Sequence, residues 1–222
     1  MLSIYGIVIS ISIFSCLIAA EKIYPEKKKE IWDAGLYAVI AGIAGSRIYH
    51  VIDYWQYYKE SPVKILEVWN GGLGIWGAVL GGALGIGIYS LVHKNSFLEI
   101  TDIVATVLPL GQAIGRWGNY FNSELAGKET SLPWAIQGKH PLFFYESVLN
   151  MILFLLLVRF SKRNPAPGVL LSIYLAGYGI IRFFLEFLRV TPWKMGGLNV
   201  AQMVSILSIG IALIIFIKGR RK

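Results

Sequence analysis

Several polar side chains whose types could bind an oxyanion stand together in the middle of the chain, directly after an apolar segment. Between Gly115 and Gly127 the sequence places Arg116, Asn119, Asn122 and Glu124. A guanidinium binds phosphate oxygens through two parallel hydrogen bonds, and amide side chains can donate to further oxygens. This grouping therefore predicts a binding site for a polar, phosphate-like group.

A second group of polar side chains recurs every four residues in a later apolar segment. Tyr178, Arg182 and Glu186 fall within about 80° on one face of a helix, and Arg189 is expected to join them. One interpretation is an internal ion pair between Arg182 and Glu186 that makes a charge tolerable in apolar surroundings. The other is a functional arginine, which we favour because Arg116 offers a second guanidinium toward the same side.

The composition of the chain is that of a membrane protein. Only 15% of the residues are charged, 55% are hydrophobic and the mean hydropathy is +0.59, whereas soluble domains carry roughly 25% charged residues. Candidate spans of a bilayer lie at 2–20, 34–52, 68–92, 100–115, 141–158, 168–188 and 199–217. The sequence therefore predicts an all-α, polytopic membrane protein with about seven transmembrane helices.

The distribution of basic residues sets the predicted orientation. Loops on one side of the membrane would carry 12 of the 21 lysines and arginines, and loops on the other side would carry 6. Because cytoplasmic loops are enriched in Lys and Arg, the N-terminus is expected outside and the C-terminus in the cytoplasm. Residues 1–222 are expected to form a single integral membrane domain with a short extracytoplasmic segment at about 116–140. The polar cluster would then meet a lipid headgroup.

Other kinds of site are not indicated by the sequence. Cys16 is the only cysteine, which excludes an intramolecular disulfide and favours a packing role. The three histidines lack metal-ligand spacing and no glycine-rich nucleotide motif is present, so neither a metal nor a cofactor is expected. The net charge of +8 suits anionic lipid better than nucleic acid. Gly77, Gly81 and Gly85, spaced four apart, predict close helix packing and leave room for an acyl chain or a peptide backbone.

The segment from Gly115 to Gly127 closely resembles the signature of the bacterial prolipoprotein diacylglyceryl transferases. The resemblance covers nearly the whole chain. Its further motifs are Tyr5-Gly6, Ser46-Arg47, Trp69-Asn70-Gly71-Gly72, His140-Pro141, Tyr145-Glu146, the run from Tyr178 to Arg189, and Gln202-Met203. It implies a multi-pass enzyme of the bacterial cytoplasmic (inner) membrane that moves diacylglyceryl from phosphatidylglycerol to the lipobox cysteine of a prolipoprotein signal peptide. A thioether would form and glycerol-1-phosphate would leave.

The resemblance also implies roles for the residues singled out above. Arg116 and Arg182 are expected to be catalytic by clamping the phosphate. The other expected substrate-binding residues are Asn119, Asn122 and Tyr5 on the glycerol or ester oxygens, Glu124 and Glu186 orienting the guanidiniums, and Tyr178 lining the site. The expected partners are phosphatidylglycerol, the prolipoprotein and membrane lipids.

One departure from the family concerns the base. Many members carry a histidine two residues before a glycine pair in the third span, where this chain has Trp76-Gly77-Ala78. His140 is the candidate base, and a loop or capping role is its alternative. Ionising a free thiol at pH 7 costs only about 2 kcal/mol, against ~3–4 kcal/mol for one electrostatic donor in a transition state. The two arginines are therefore expected to matter more than any base.

Two alternatives remain open at this point. Glu146 is expected to make a packing hydrogen bond or an ion pair with Arg47. The chain as a whole could instead be a lipid or solute carrier that uses buried arginines to bind an anion. Against the carrier, the two halves of the sequence show no repeat, and the polar cluster lies near one face of the membrane instead of at its midplane.

Overall fold

The computed structural model describes residues 4–123, 127–190, 194–195 and 198–219. Within these residues seven helices are long and apolar enough to cross a membrane, which confirms an all-α, multi-pass membrane protein. The helices are α1 Ile4–Ile23, α2 Lys28–Asp53, the short α3 Trp55–Lys59, α4 Ile75–His93, α5 Phe97–Phe121, α6 Leu142–Ser161, α7 Val169–Leu185 and α8 Val200–Gly219. Two short antiparallel strands, β1 Lys194–Met195 and β2 Leu198–Asn199, pair with each other before α8.

The chain divides into two compact units, which we describe separately. One unit comprises Glu26–Ile100, and the other comprises Met1–Pro25 with Thr101–Lys222. The orientation in the membrane and the grouping of all spans into a single domain stay predictions.

In the unit Glu26–Ile100, glycines bring α2 and α4 into close contact. A Cβ added at Gly77 would collide with the carbonyl oxygen of Gly45, and one added at Gly81 would collide with that of Ala41. One turn further along, Gly85 lies against the backbone of Tyr37 in the same way. The backbones can approach this closely only because the side chains are absent. The prediction of helix packing from the four-residue spacing is therefore confirmed.

The connection between α2 and α4 is held by a buried arginine. The guanidinium of Arg47, 7% exposed, donates hydrogen bonds to five backbone carbonyls. The acceptors belong to Lys64, Ile65, Glu67, Gly71 and Gly72, with distances of 2.6 Å to Gly71 and 3.0 Å to Gly72. Both of these glycines have positive φ, +81° and +71°, so the helix cannot begin at the predicted position 68 and starts at Ile75 instead.

In the unit formed by Met1–Pro25 and Thr101–Lys222, Asp102 joins α5 to the start of α7. Its carboxylate accepts hydrogen bonds from the backbone N–H groups of Gly168 and Leu171, each at 2.7 Å. The first N–H groups of a helix have no partner within the helix, and an acidic side chain there also interacts favourably with the helix dipole. The core next to this contact consists of Ala105, Leu153, Leu157, Leu170 and Tyr174.

Helix α5 is longer than the sequence predicts, and this changes where the polar cluster lies. The helix runs to Phe121, so Arg116 and Asn119 are helical and do not belong to the extended segment that was expected to begin at 116. The irregular chain instead follows the helix, with the described part from Gly127 to Pro141. At its far end the chain enters α6 at Leu142.

Candidate active site

A buried carboxylate forms ion pairs with both predicted arginines. Glu146, in the first two turns of α6 and 3% exposed, pairs with Arg116 of α5 and with Arg182 of α7. The distance from Arg116 Nη2 to Glu146 Oε1 is 2.6 Å, and that from Arg182 Nη1 to Glu146 Oε2 is 3.4 Å. The two guanidiniums, 66 residues apart in the sequence, therefore converge on opposite oxygens of one side chain.

The predicted ion pair within the later helix is present. Arg182 Nη2 lies 2.9 Å from Glu186 Oε2, in the turn that follows α7. Arg189, however, does not continue this helical face. It follows the 3₁₀ turn in an extended conformation, with φ −98° and ψ 142°, because α7 has ended.

The hydroxyl group of Tyr178 links the same three helices. It donates to Glu146 Oε1 at 3.3 Å and accepts a hydrogen bond from Arg116 Nη2 at 3.2 Å. Its ring stacks on that of Tyr174, with the ring centroids 5.9 Å apart and the planes at 8°. Tyr178 thus contacts a charged group on each of the other two helices, consistent with a residue that lines the site.

The carboxylates of this cluster are buried more deeply than the arginines. The side chains of Glu146 and Glu186 are 3% and 2% exposed, whereas those of Arg116 and Arg182 are 27% and 17% exposed. The formal charges of these four groups sum to zero, which is what makes their burial tolerable. The guanidiniums are therefore the more exposed part of the cluster.

A layer of uncharged polar groups lies one helical turn from the charged cluster on the same helices. Gln112 Nε2 donates to the hydroxyl of Tyr174 at 2.8 Å, and Asn150 Nδ2 donates to the backbone carbonyl of Glu146 at 2.9 Å. Asn150 is fully buried. Side chains four residues apart share a helix face. The layer therefore extends the polar contacts of the charged cluster by one helical turn along the same three helices.

Three further predicted residues lie on or near the end of α5. Asn119 is three residues after Arg116, so the two side chains share a face of the helix. Asn122 directly follows the helix, and its backbone N–H donates to the carbonyl of Gly118 at 3.0 Å. The ring of Tyr5, on α1, packs on Gly118, where an added Cβ would lie 2.8 Å from Tyr5 Cδ2. Tyr5 and Asn119 are therefore brought to the segment that carries Arg116.

The remaining two predicted residues are not placed in this cluster. Glu124 lies outside the described residues. His140 lies in the loop before α6, where its Nδ1 is 3.4 Å from the hydroxyl of Tyr145, and Trp134 Nε1 donates to the same hydroxyl at 2.7 Å. The backbone N–H of His140 donates to the carbonyl of Lys128 at 3.0 Å. These contacts match the alternative of a loop residue, and a role of His140 as a base stays a prediction.

The expected pairing of Glu146 with Arg47 is wrong, because both oxygens of the Glu146 carboxylate are engaged by other arginines. Its ion-pair partners are Arg116 and Arg182, while the guanidinium of Arg47 donates to backbone carbonyls of its own unit. The available signal was a single carboxylate in the first turns of an otherwise apolar span, because an ionisable residue there requires a partner. The sequence offered three arginines in or beside spans, and the prediction named Arg47 instead of Arg116 and Arg182.

Comparisons with known proteins show which family the sequence of the chain resembles. The family model described as "prolipoprotein diacylglyceryl transferase" matches residues 1–218. The chain is 35% identical to the phosphatidylglycerol–prolipoprotein diacylglyceryl transferase of Thermosynechococcus vestitus, with 93% of this chain and 84% of the relative covered. For the proteins of the same name, identity is 38% in Synechococcus elongatus, with 98% and 82% covered, and 37% in Finegoldia magna, with 98% and 91% covered.

Proposed function

The chain belongs to the prolipoprotein diacylglyceryl transferase family, and we propose that it transfers diacylglyceryl from phosphatidylglycerol to the lipobox cysteine of a prolipoprotein. The match over residues 1–218 and the three relatives that carry this activity in their names support the proposal. The seven apolar helices support a multi-pass location, which we assign to the bacterial cytoplasmic membrane. The observation that carries the mechanism is the convergence of Arg116 and Arg182 on Glu146.

The proposed reaction is a displacement at the glycerol carbon that bears the phosphate. The cysteine sulfur forms a bond to this carbon, the bond from carbon to phosphate oxygen breaks, and its electron pair leaves with glycerol-1-phosphate. The thiol proton passes to water or to a basic group. A phosphodiester carries one negative charge and a phosphate monoester carries close to two, so negative charge accumulates on the leaving phosphate as the reaction proceeds.

The cluster suits this change in charge because its guanidiniums are held in place before the lipid arrives. Among the described residues, Arg116 donates through Nη2, which leaves the N–H groups of Nε and Nη1 for phosphate oxygens. Glu146 and Glu186 fix the orientation of both guanidiniums from the buried side. Donors that are oriented in advance stabilise a developing charge without reorganising during the reaction. In this proposal Asn119, Asn122 and Tyr5 hold the glycerol or ester oxygens.

The carrier interpretation is not favoured by the comparisons. The family match covers nearly the whole chain, and each of the relatives reported above is named as a transferase. A transferase site also accounts for the buried carboxylates. They fix the guanidiniums for chemistry at one place, whereas a carrier must release its anion on the far side of the membrane.

Replacing Tyr178 with phenylalanine is expected to slow the transfer by about 10- to 100-fold. The substitution keeps the ring that stacks on Tyr174 and removes the hydroxyl that contacts Arg116 and Glu146. A hydrogen bond to a charged group contributes about 1.5–3 kcal/mol, which corresponds to this range of rates. Steady-state kinetics of purified Y178F protein measures the effect. Unchanged kinetics would show that the hydroxyl does not position the cluster.

The transfer itself is tested with purified protein, phosphatidylglycerol and a synthetic peptide that contains a lipobox cysteine. We expect the mass of the peptide to rise by one diacylglyceryl group and glycerol-1-phosphate to appear in equal amount. A peptide with serine in place of cysteine is the matched control and should stay unmodified. Movement of phospholipid between vesicles without any change in the peptide would contradict a transferase and indicate a carrier.

A further inference from the structure

An open polar cleft of about 740 Å³ lies on the loop between α5 and α6 and is not used by the reaction proposed above. The cleft is shallow and open along one side. The lining residues are all polar or lack a side chain: Glu129, Thr130, Ser131, Gln137, Gly138 and Lys139. A lining of this composition suits a hydrophilic occupant better than an apolar one.

The cleft is part of an ordered hairpin. Ile136 and Lys139 exchange both backbone hydrogen bonds, at 3.1 and 3.0 Å, around a two-residue turn. The turn residues, Gln137 and Gly138, have φ of +52° and +71°, as in the type I′ turns that join tightly paired strands. Further back, the N–H of Thr130 donates to the carbonyl of Gly138 at 2.9 Å. Glu129, Thr130 and Lys139 are therefore presented by paired backbone, and Gln137 and Gly138 by the turn.

The hairpin is attached to the same helix ends that carry the charged cluster. The N–H of Lys128 donates to the carbonyl of Leu188 at 2.8 Å, and Gly127 pairs with Arg189, directly after the turn that contains Glu186. The other arm of the hairpin continues through His140 into α6, whose second turn holds Glu146. The hairpin therefore lies at the end of these helices that carries Glu146 and Glu186.

The chemistry of the lining identifies the kind of occupant. The carboxylate of Glu129 and the ammonium group of Lys139 cancel in charge, which disfavours a lipid phosphate, and an acyl chain would find no apolar contact among the lining residues. The hydroxyls of Thr130 and Ser131 and the amide of Gln137 both donate and accept hydrogen bonds. Such groups match the alternating N–H and C=O groups of an extended peptide, with little dependence on its side chains.

We propose that this cleft binds the extended segment of the prolipoprotein that follows the lipobox cysteine. The assignment rests on the proposed function, since it is the transferase reaction that requires a cysteine of this substrate at the arginine cluster. The chain beyond that cysteine then leaves past the hairpin. Because the lining carries no net charge, the cleft would accept segments of varied sequence.

The test compares two lipobox peptides, one ending two residues after the cysteine and one continuing with a dozen uncharged polar residues. Wild-type protein is expected to show a KM about tenfold lower for the long peptide. In S131W, an indole fills the cleft, and the KM for the long peptide should rise about tenfold while that for the short peptide stays unchanged. The matched control is L132W, because Leu132 is exposed, adjoins Ser131 and does not line the cleft.

Each other outcome overturns the inference. Equal KM values of the two peptides with wild-type protein would show that the tail makes no contact. A loss of short-peptide turnover in S131W, or equal effects of S131W and L132W, would indicate a general disturbance of the loop. A raised KM for phosphatidylglycerol would assign the cleft to the lipid. If wild-type protein modifies neither peptide, the proposed function itself fails, so the two failures are distinguishable.

Discussion

Replacing Arg182 with lysine should lower kcat/KM for diacylglyceryl transfer by about 100- to 1,000-fold. The guanidinium of Arg182 contacts two carboxylates through different nitrogens, Nη1 to Glu146 and Nη2 to Glu186. An ammonium group donates all its hydrogen bonds from one nitrogen, so it cannot span both carboxylates while also facing a phosphate. The positive charge is kept in this variant, so the change isolates the loss of the planar, forked geometry. Kinetics with phosphatidylglycerol and a lipobox peptide measures the effect.

The matched control for this prediction is Arg189→Lys. Arg189 is the next basic residue of the same segment, and it lies after the end of the helix in extended chain. We expect R189K to retain at least about a third of wild-type kcat/KM, within the small effects of surface changes. Normal thioether formation by R182K protein at wild-type expression would refute a phosphate clamp at this position.

Replacing Glu146 with glutamine should lower both activity and stability. Glutamine keeps one carbonyl oxygen that can accept from Arg116. Its NH₂ group would face the guanidinium of Arg182, and because both groups are donors, no hydrogen bond can form there. Removing one member of a buried ion pair costs about 3–5 kcal/mol, since the partner charge is left uncompensated. We therefore expect a clear fall in the thermal midpoint in detergent and a fall of about 100-fold in kcat. Melting curves and kinetics of E146Q measure the two effects.

Glu186→Gln is the matched control for Glu146→Gln. Glu186 is buried to the same degree as Glu146. Glu186 forms an ion pair with Arg182, whereas Glu146 forms ion pairs with both Arg116 and Arg182. A smaller loss of activity in E186Q than in E146Q is expected. The double variant E146Q/R182K should lose less than the sum of the two single changes, because both act on one cluster. Full additivity, or equal losses in E146Q and E186Q, would contradict the central place of Glu146.

The membrane spans were predictable because their signal is local. An apolar segment long enough to cross a bilayer is visible in the sequence, and all seven predicted spans overlap helices of the structure. The ends of these helices were predicted less accurately. Glycine-dependent backbone at Gly71 and Gly72 delays α4 to Ile75, and α5 continues through the polar residues as far as Phe121. Polarity marks the membrane surface, and it does not by itself end a helix.

Part of the arrangement of the candidate site was predictable because its signal is also local. The spacing of Tyr178, Arg182 and Glu186 fixes their common helix face, and the ion pair that it predicted is present. The pairing of Arg116 with Glu146 joins residues of different helices, and sequence spacing carries no information about such contacts. The hydrogen-bond partners of the buried Arg47 could not be predicted from the sequence either. Its five acceptors are backbone carbonyls, which any sequence could supply.

The most direct measurement is an experimental structure of the protein with phosphatidylglycerol bound. We expect phosphate oxygens within about 2.7–2.9 Å of the N–H nitrogens of both Arg116 and Arg182, with Glu146 still in contact with both guanidiniums. A phosphate held by other residues, while the two arginines contact only Glu146 and Glu186, would contradict it.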